Sequence, residues 1–247
     1  MDIFGIDVGG SYVKGAVVDV ETGDLSSDFL QIATPQPATP QKVIGAIGQL
    51  VESVGWSGII GCGFPAVIRS GVALTAANID DAWIDCNVQK LLEQTTACSC
   101  TVINDADAAG LAELKYGAAR GRMEPVLILT LGTGIGSALF NGGHLFPNLE
   151  LGRLAIGGRA AEEYTSAAIR VRENLSWEEW SARLNLFFSA VERLFSPELI
   201  VVGGGVSEAA DRFFPFLKTK AELVPAHLKN RAGIIGAAYF AGLSAQD

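Results

Sequence analysis

The sequence predicts an α/β fold made of two duplicated halves, and three observations carry that prediction. Short β-rich apolar runs alternate with stretches whose apolar residues recur at helical spacing. The order strand, glycine turn, strand, then helices occurs twice: around Asp7-Val8-Gly9-Gly10-Ser11, and again around Gly132-Thr133-Gly134-Ile135-Gly136. A chain of 247 residues, 49% of them apolar, can bury a core in each of two lobes. Such lobes would leave a cleft between them for a ligand.

Strands are expected at Ile3–Asp7 and Val13–Val20, with a third around Asp28–Thr34. Thr39-Pro40-Gln41 starts a helix carrying Val43, Ile44, Ile47, Leu50, Val51 and Val54 on one face, because proline suits the first helical turn. Ile59–Phe64 reads as a buried strand, Val88–Leu92 as part of a short helix, and Thr101–Ile103 as a strand ending at Asn104-Asp105. Ala106–Tyr116 continues as a helix that stops at Gly117.

In the second half, strands Val126–Leu131 and Ser137–Phe140 flank the second glycine turn, and Asn141-Gly142-Gly143 signals a hairpin. Helices are expected over Ala160–Glu173 and Trp177–Phe195, the latter opened by a Ser176/Glu179 capping box. Leu199–Val202 is a short buried strand running into Gly203-Gly204-Gly205, a helix follows Ser207, and a last apolar helix spans Gly233–Leu243. These elements divide into a first lobe, 1–104, with 231–247 packing back on it, and a second lobe, 105–230.

Composition narrows the function. A net charge of −9 argues against general binding to nucleic acid or a membrane surface, though not against a local basic groove. The apolar stretch Val126–Phe140 is interrupted by Thr130, Gly132, Thr133, Gly134 and Gly136, too short and broken for a membrane span. No secretory signal opens the chain, so a cytoplasmic location is expected. Cys62, Cys86, Cys98 and Cys100 form no Cys-x-x-Cys pair and stand apart from His144 and His227, which points to free buried thiols and no structural zinc.

The chemistry-bearing motifs have two readings each. Gly9 and Gly10 let backbone N–H groups approach an anion, with Asp7, the Ser11 hydroxyl and Lys14 beside them; alone, the turn is equally a tight hairpin. A second turn at Gly132, Thr133 and Gly134 favours a phosphoryl donor held from two sides. Neither turn is a P-loop, since neither ends in Gly-Lys-Ser/Thr. Asp105 and Asp107, where a strand meets a helix, read as N-caps; Asp105 is also placed to take a proton from an alcohol while Asp107 caps. Glu150 and Asn78 read as loop residues or as acceptors for sugar hydroxyls.

Taken in order, Gly5-Ile6-Asp7-Val8-Gly9-Gly10-Ser11, Thr34-Pro35-Gln36-Pro37-Ala38-Thr39-Pro40 and Thr75-Ala76-Ala77-Asn78 resemble the ROK family of sugar kinases and repressors. Asn104-Asp105-Ala106-Asp107, Leu131-Gly132-Thr133-Gly134-Ile135-Gly136, Pro147-Asn148 with Glu150 and Gly152, and Gly203-Gly204-Gly205-Val206-Ser207 extend the resemblance nearly end to end. The family lies in the acetate kinase, sugar kinase, Hsp70 and actin superfamily, which implies a two-lobed, duplicated actin-like (ribonuclease H-like) fold with an interlobe cleft. Within the family the chain looks like the shorter, zinc-free branch of polyphosphate-using glucokinases.

That resemblance implies phosphoryl transfer from inorganic polyphosphate or ATP, with Mg²⁺, to the 6-hydroxyl of glucose, by a homodimer. Asp105 takes the role of general base. Asn78, Asn104, Asp105, Glu150 and Arg153 are the implied sugar contacts; Asp7, Gly9, Gly10, Ser11, Lys14, Gly132, Thr133, Gly134 and Gly204 the implied phosphate contacts. The metal is expected to arrive on the donor, near Asp7, with no protein cage of its own. One departure stands out: where relatives have Glu-x-Gly-His this chain has Glu150-Leu151-Gly152-Arg153, and an arginine is permanently charged and accepts no hydrogen bond. Alternatives are an ATP-dependent hexokinase of the same family acting on mannose or an N-acetylated amino sugar, and a non-catalytic sugar-binding regulator.

Overall fold

The computed structural model describes residues 1–76 and 79–245. They form two compact units, Met1–Ala112 with Arg231–Asp247, and Glu113–Asn230. The first unit therefore extends to Ala112, inside a helix, where the sequence reading ended it at Asn104.

In the first unit, β1 (Asp2–Val8) and β2 (Tyr12–Asp19) form an antiparallel hairpin in register from Asp2↔Asp19 to Val8↔Val13. The expected third strand is β4 (Leu30–Ala33), and a further short strand that the sequence reading did not expect, β3 (Asp24–Leu25), precedes it; both pair with β2. After α1 (Pro40–Val54), β5 (Ile60–Phe64) lies parallel to β1. A two-strand flap follows, β6 (Ile68–Arg69) with β7 (Val72–Ala73). Then α2 (Val88–Thr96) leads to β8 (Cys100–Asn104), parallel to β5. The main sheet thus runs β3-β2-β1-β5-β8. Registers Asp7↔Gly63, Gly63↔Ile103 and Phe64↔Asn104 bring the carboxyl ends of β1, β5 and β8 to one edge, where ligands bind in open α/β sheets.

Alternation along the strands assigns the two faces. Phe4, Ile6, Ile60, Cys62 and Phe64 share a core with Val43, Ile44, Ile47, Leu50 and Val51 of α1. Trp83 closes that core, edge-on to Phe64 at 4.6 Å, with its indole N–H donating to the Ala38 carbonyl at 2.8 Å. On the other face, Gly5 and Gly61 meet the C-terminal helix, Ala232–Ser244. A Cβ at Gly5 would strike the Ile234 carbonyl, and one at Gly61 the Ala237 carbonyl. The helix approaches the next element as closely: a Cβ at Gly236 would strike the Ala108 carbonyl of α3 (Asp105–Tyr116).

The second unit repeats the topology. β9 (Val126–Leu131) and β10 (Ile135–Asn141) form the hairpin, β11 (His144–Phe146) extends it, and the sheet order is β11-β10-β9-β14-β15. The expected helix Ala160–Glu173 is instead a small hairpin, β12 (Ala155–Ile156) with β13 (Arg159–Ala160), then α4 (Glu162–Thr165) and α5 (Ala167–Arg172). Ser166 is extended, with φ −63° and ψ 159°, and its backbone divides the two helices. α6 (Trp177–Phe195) opens with both capping-box bonds, Glu179 N–H to Ser176 Oγ at 3.1 Å and Ser176 N–H to Glu179 Oε2 at 2.8 Å. It buries Trp180, Leu184, Phe187, Phe188 and Val191.

β14 (Leu199–Gly203) is parallel to β9. The helix expected after Ser207 is a 3₁₀ turn over Gly205–Ala209 followed by one turn of helix, α7 (Ala210–Phe213). β15 (Glu222–Pro225) completes the sheet as a half-exposed edge strand ending in proline, without the apolar alternation that marks strands in sequence. Among the described residues no helix is long and apolar enough to cross a membrane.

The helix–sheet contact yields a paired prediction. Gly236→Ala drives a methyl into the Ala108 carbonyl and should lower stability by about 3 kcal/mol or more. Gly45→Ala, in α1 with nothing within 4 Å of the new Cβ, should raise it by about 0.5–1 kcal/mol. Urea denaturation of the two variants against the parent protein reads both signs.

Candidate functional site

Asp7, one residue before the end of β1, faces Lys14 across the hairpin in register, and Lys14 Nζ lies 3.3 Å from Asp7 Oδ2. The carboxylate also rests on the start of the C-terminal helix: a Cβ at Gly233 would sit 2.8 Å from Asp7 Cγ. The turn beyond is braced rather than loose. Gly9 N–H donates to the Tyr12 carbonyl at 2.9 Å, Thr34 Oγ1 donates to the Gly9 carbonyl at 2.6 Å, and Gln36 Nε2 reaches the Gly10 carbonyl at 3.4 Å. The Gly9 amide thus closes the hairpin, and Gly10 and Ser11 form its exposed tip.

Asn104 and Asp105 arrive at the same sheet edge on the end of β8. The sequence reading gave the capping of α3 to Asp105 or Asp107. Asn104 performs it: its Oδ1 accepts from Ala106 N–H at 2.9 Å and from Asp107 N–H at 3.0 Å. Its Nδ2 donates to the Ala66 carbonyl at 3.1 Å, and the residue is 6% exposed, so its amide is committed at both ends to fixing this corner. Asp105, half-buried, follows directly, with Oδ1 2.8 Å from Ala106 N. A carboxylate at a capped, buried strand end cannot drift, which a proton acceptor requires.

In the second unit, Gly132 and Thr133 are exposed and Gly132 N–H donates to the Gly134 carbonyl at 3.0 Å. The Gly132 carbonyl accepts from Ala168 N–H at 3.1 Å, which ties the turn to α5. Gly204, with φ +80°, packs on the Leu131 backbone just before the turn, where a Cβ would collide with the Leu131 carbonyl. The implied phosphate residues of this unit are therefore neighbours.

Glu150 precedes the 3₁₀ turn Leu151–Arg153, and Arg153 Nε stands 3.6 Å from Glu150 Oε2. Burial pushes the Glu150 carboxyl up, the Arg153 charge pulls it back, and Glu162 adds a second upward push. Glu162 also accepts from Ile135 N–H at 3.4 Å and lies beside Gly152, so a pair of carboxylates flanks the exit of the glycine turn. Asn78 lies outside the described residues. Thr34, Gln36, Glu162 and Gly233 were missed as supporting residues; Thr34 and Gln36 stand 25 and 26 residues from the glycines whose carbonyls they reach, too far for a local pattern to place them at the turn.

The four cysteines are free, three of them buried and Cys86 only partly so. Burial pushes the Cys62 thiol well up and that of Cys100 to about 11, which keeps both protonated and unreactive at neutral pH.

Two measurements test this corner and its counterpart. Asn104→Ala should cost about 1–2 kcal/mol in urea denaturation, from the lost cap and the orphaned Ala66 carbonyl. For Glu150, a pKa raised on folding makes its contribution to stability fall as pH rises through the folded value. Removing the positive charge by Arg153→Ala should raise the Glu150 carboxyl further, read by carboxyl-carbon NMR titration.

The sequence profile of the ROK family matches residues 3–149. A polyphosphate glucokinase of Mycobacterium tuberculosis is 43% identical over 236 residues, 95% of this chain and 89% of the relative. The crystal structure of an inorganic polyphosphate/ATP-glucomannokinase from Arthrobacter sp. strain KM is 46% identical and superposes with a TM-score of 0.96, over 98% of this chain and 99% of that one. A ROK family glucokinase from Streptomyces griseus, crystallised with glucose and AMPPNP, shares the fold at 24% identity and a TM-score of 0.86, over 98% of this chain and 100% of that one. By its sequence over most of its length and by the duplicated, actin-like topology of its sheets, this chain belongs to the ROK family.

Proposed function

We propose that the protein transfers a phosphoryl group from inorganic polyphosphate, or from ATP, to the 6-hydroxyl of glucose. The observation that carries this reading is Asp105 held by the Asn104 cap at the sheet edge that also presents Asp7 and the braced glycine turn, in a chain 43% identical to a polyphosphate glucokinase. Asp105 accepts the proton of the sugar hydroxyl as that oxygen bonds to phosphorus; the bridging P–O bond breaks and the shortened polyphosphate or ADP departs. The family resemblance assigns the phosphates to Gly10, Ser11 and Lys14 and to Gly132, Thr133 and Gly134, whose backbone N–H groups and side chains suit an anion. Glu150 and Arg153 take sugar hydroxyls, with Asn78 as a further contact from the family.

Mg²⁺ fits this arrangement as part of the donor. Among the described residues no three His, Cys, Asp or Glu side chains gather to hold a metal, and Asp7 is a single carboxylate beside a lysine. Magnesium commonly binds through one or two carboxylates plus phosphates and water, and its charge offsets that of the donor. The same reading carries a cytoplasmic homodimer, which sedimentation of the purified protein would test.

A second acceptor follows from the Arthrobacter relative, which is described as a glucomannokinase, so mannose belongs in any substrate panel. Arg153→His should leave folding intact and raise kcat/KM for glucose; a fall instead would make the arginine a working sugar ligand in its own right.

Asp105→Asn is the decisive variant. Turnover should drop by about 10²–10⁴ while glucose binding, measured by calorimetry, and the thermal midpoint persist. Unchanged turnover removes Asp105 from the base role. A side-by-side assay with polyphosphate and ATP at several salt concentrations reads donor preference, since a long polyanion loses affinity more steeply with salt.

A further inference from the structure

The second unit carries a group of arginines that the catalytic reading does not use. Arg159 and Arg183 lie over the Tyr164 ring, at 5.1 and 4.5 Å from its centroid. Arg170 and Arg212 lie over the Trp177 ring, at 3.6 and 5.2 Å. Arg172 joins them through Glu173, whose carboxyl is held down by its hydrogen bond from Arg183 and by the charges of Arg172 and Arg159.

In a chain of net charge −9, four of these five guanidinium groups nevertheless stand without an ion pair among the described residues. Of these five arginines only Arg183 has an ion pair among the described residues, with Glu173 at 2.7 Å; Arg159, Arg170, Arg172 and Arg212 have no carboxylate within 4.0 Å. Nearby acids are turned elsewhere: Glu162 accepts from Ile135 N–H and Glu179 belongs to the capping box. The Arg170 Nε–H is buried with no acceptor among the described residues, an orphaned donor of the kind an anion would satisfy.

The rings matter beside the charge, because a guanidinium held over an aromatic face loses less freedom when its N–H groups bind, which suits phosphate oxygens. The group is also continuous with the donor turn, because α5, which carries Arg170 and Arg172, is hydrogen-bonded through Ala168 to the Gly132 carbonyl.

We propose that Arg159, Arg170, Arg172 and Arg212, mounted on Tyr164 and Trp177, form a secondary binding surface for the distal phosphates of a long inorganic polyphosphate chain whose end is held at the Gly132–Gly134 turn. The proposal rests on polyphosphate being a donor. On this proposal the surface engages only phosphates beyond those held at the turn, so it favours long polyphosphate over ATP or tripolyphosphate.

The test uses the full chain with the double substitution Arg172→Gln and Arg212→Gln, both at exposed positions. Glucose phosphorylation is measured with long-chain sodium polyphosphate, tripolyphosphate and ATP over a range of salt. The expected result is a KM for long-chain polyphosphate raised about tenfold with kcat unchanged, and a salt slope of log KM reduced by about 2, one for each lost phosphate contact. Values for tripolyphosphate and ATP stay at the parent level, and the pair Arg172→Lys and Arg212→Lys falls between. Equal loss with all three donors, or no loss with long polyphosphate, overturns the surface while leaving the kinase intact. A parent protein that uses ATP but no polyphosphate overturns both the surface and its use of polyphosphate as donor.

Discussion

The close approach of the C-terminal helix to the first sheet is the contact on which the sheet edge carrying Asp7, Asn104 and Asp105 depends. Gly5 and Gly61 on the sheet, and Gly236 on the helix, remove the side chains that would otherwise hold these elements apart. Backbone then packs on backbone, with the Ile234 and Ala237 carbonyls over the strands and the Ala108 carbonyl of α3 against Gly236. Packing at that distance is intolerant of added volume, since interiors are already filled to crystal-like density. It fixes the helix over β1, β5 and β8, and so fixes where Gly233 meets the Asp7 carboxylate. A residue that looks like an ordinary helix glycine thereby sets the surroundings of an acid on the opposite element.

The same economy appears at Asp105. A helix N-terminus needs acceptors for its first N–H groups, and a strand-to-helix junction rich in Asn and Asp offers several candidates. Asn104 takes the duty because its amide can both accept from the helix and donate to Ala66, which an aspartate cannot do. The oxygen that accepts from both Ala106 and Asp107 is therefore a neutral amide, with the Asp105 carboxylate beside it accepting from Ala106 N–H.

In the second unit the glycine turn, the Glu150–Arg153 pair and Glu162 form one electrostatic neighbourhood. Burial and a second carboxylate raise Glu150 while Arg153 opposes them, so the arginine is an electrostatic partner of Glu150. Its long, charged side chain is compatible with the fold because the 3₁₀ turn brings residues three apart onto one side, where the pair forms.

Much of this was present in the sequence, because it depends on local chemistry. Period-two and helical patterns located β1, β5, α1, α6 and the paired glycine turns, and Ser176 with Glu179 announced a capping box that forms as written. What failed depended on partners distant in the chain. The helix expected over Ala160–Glu173 broke because Ser166 adopts an extended backbone, which its residue type permits but does not require. β15 has no apolar alternation, since an edge strand needs only one neighbour to pair with. The choice of Asn104 over two aspartates needed the Ala66 carbonyl, 38 residues away, and Gly236 needed Ala108. The sequence determined which residue types could do the chemistry and roughly where each stood on its element. Only the tertiary structure decided which polar side chain caps a helix and which carboxylate is paired, because that choice is made by neighbours that no local pattern records.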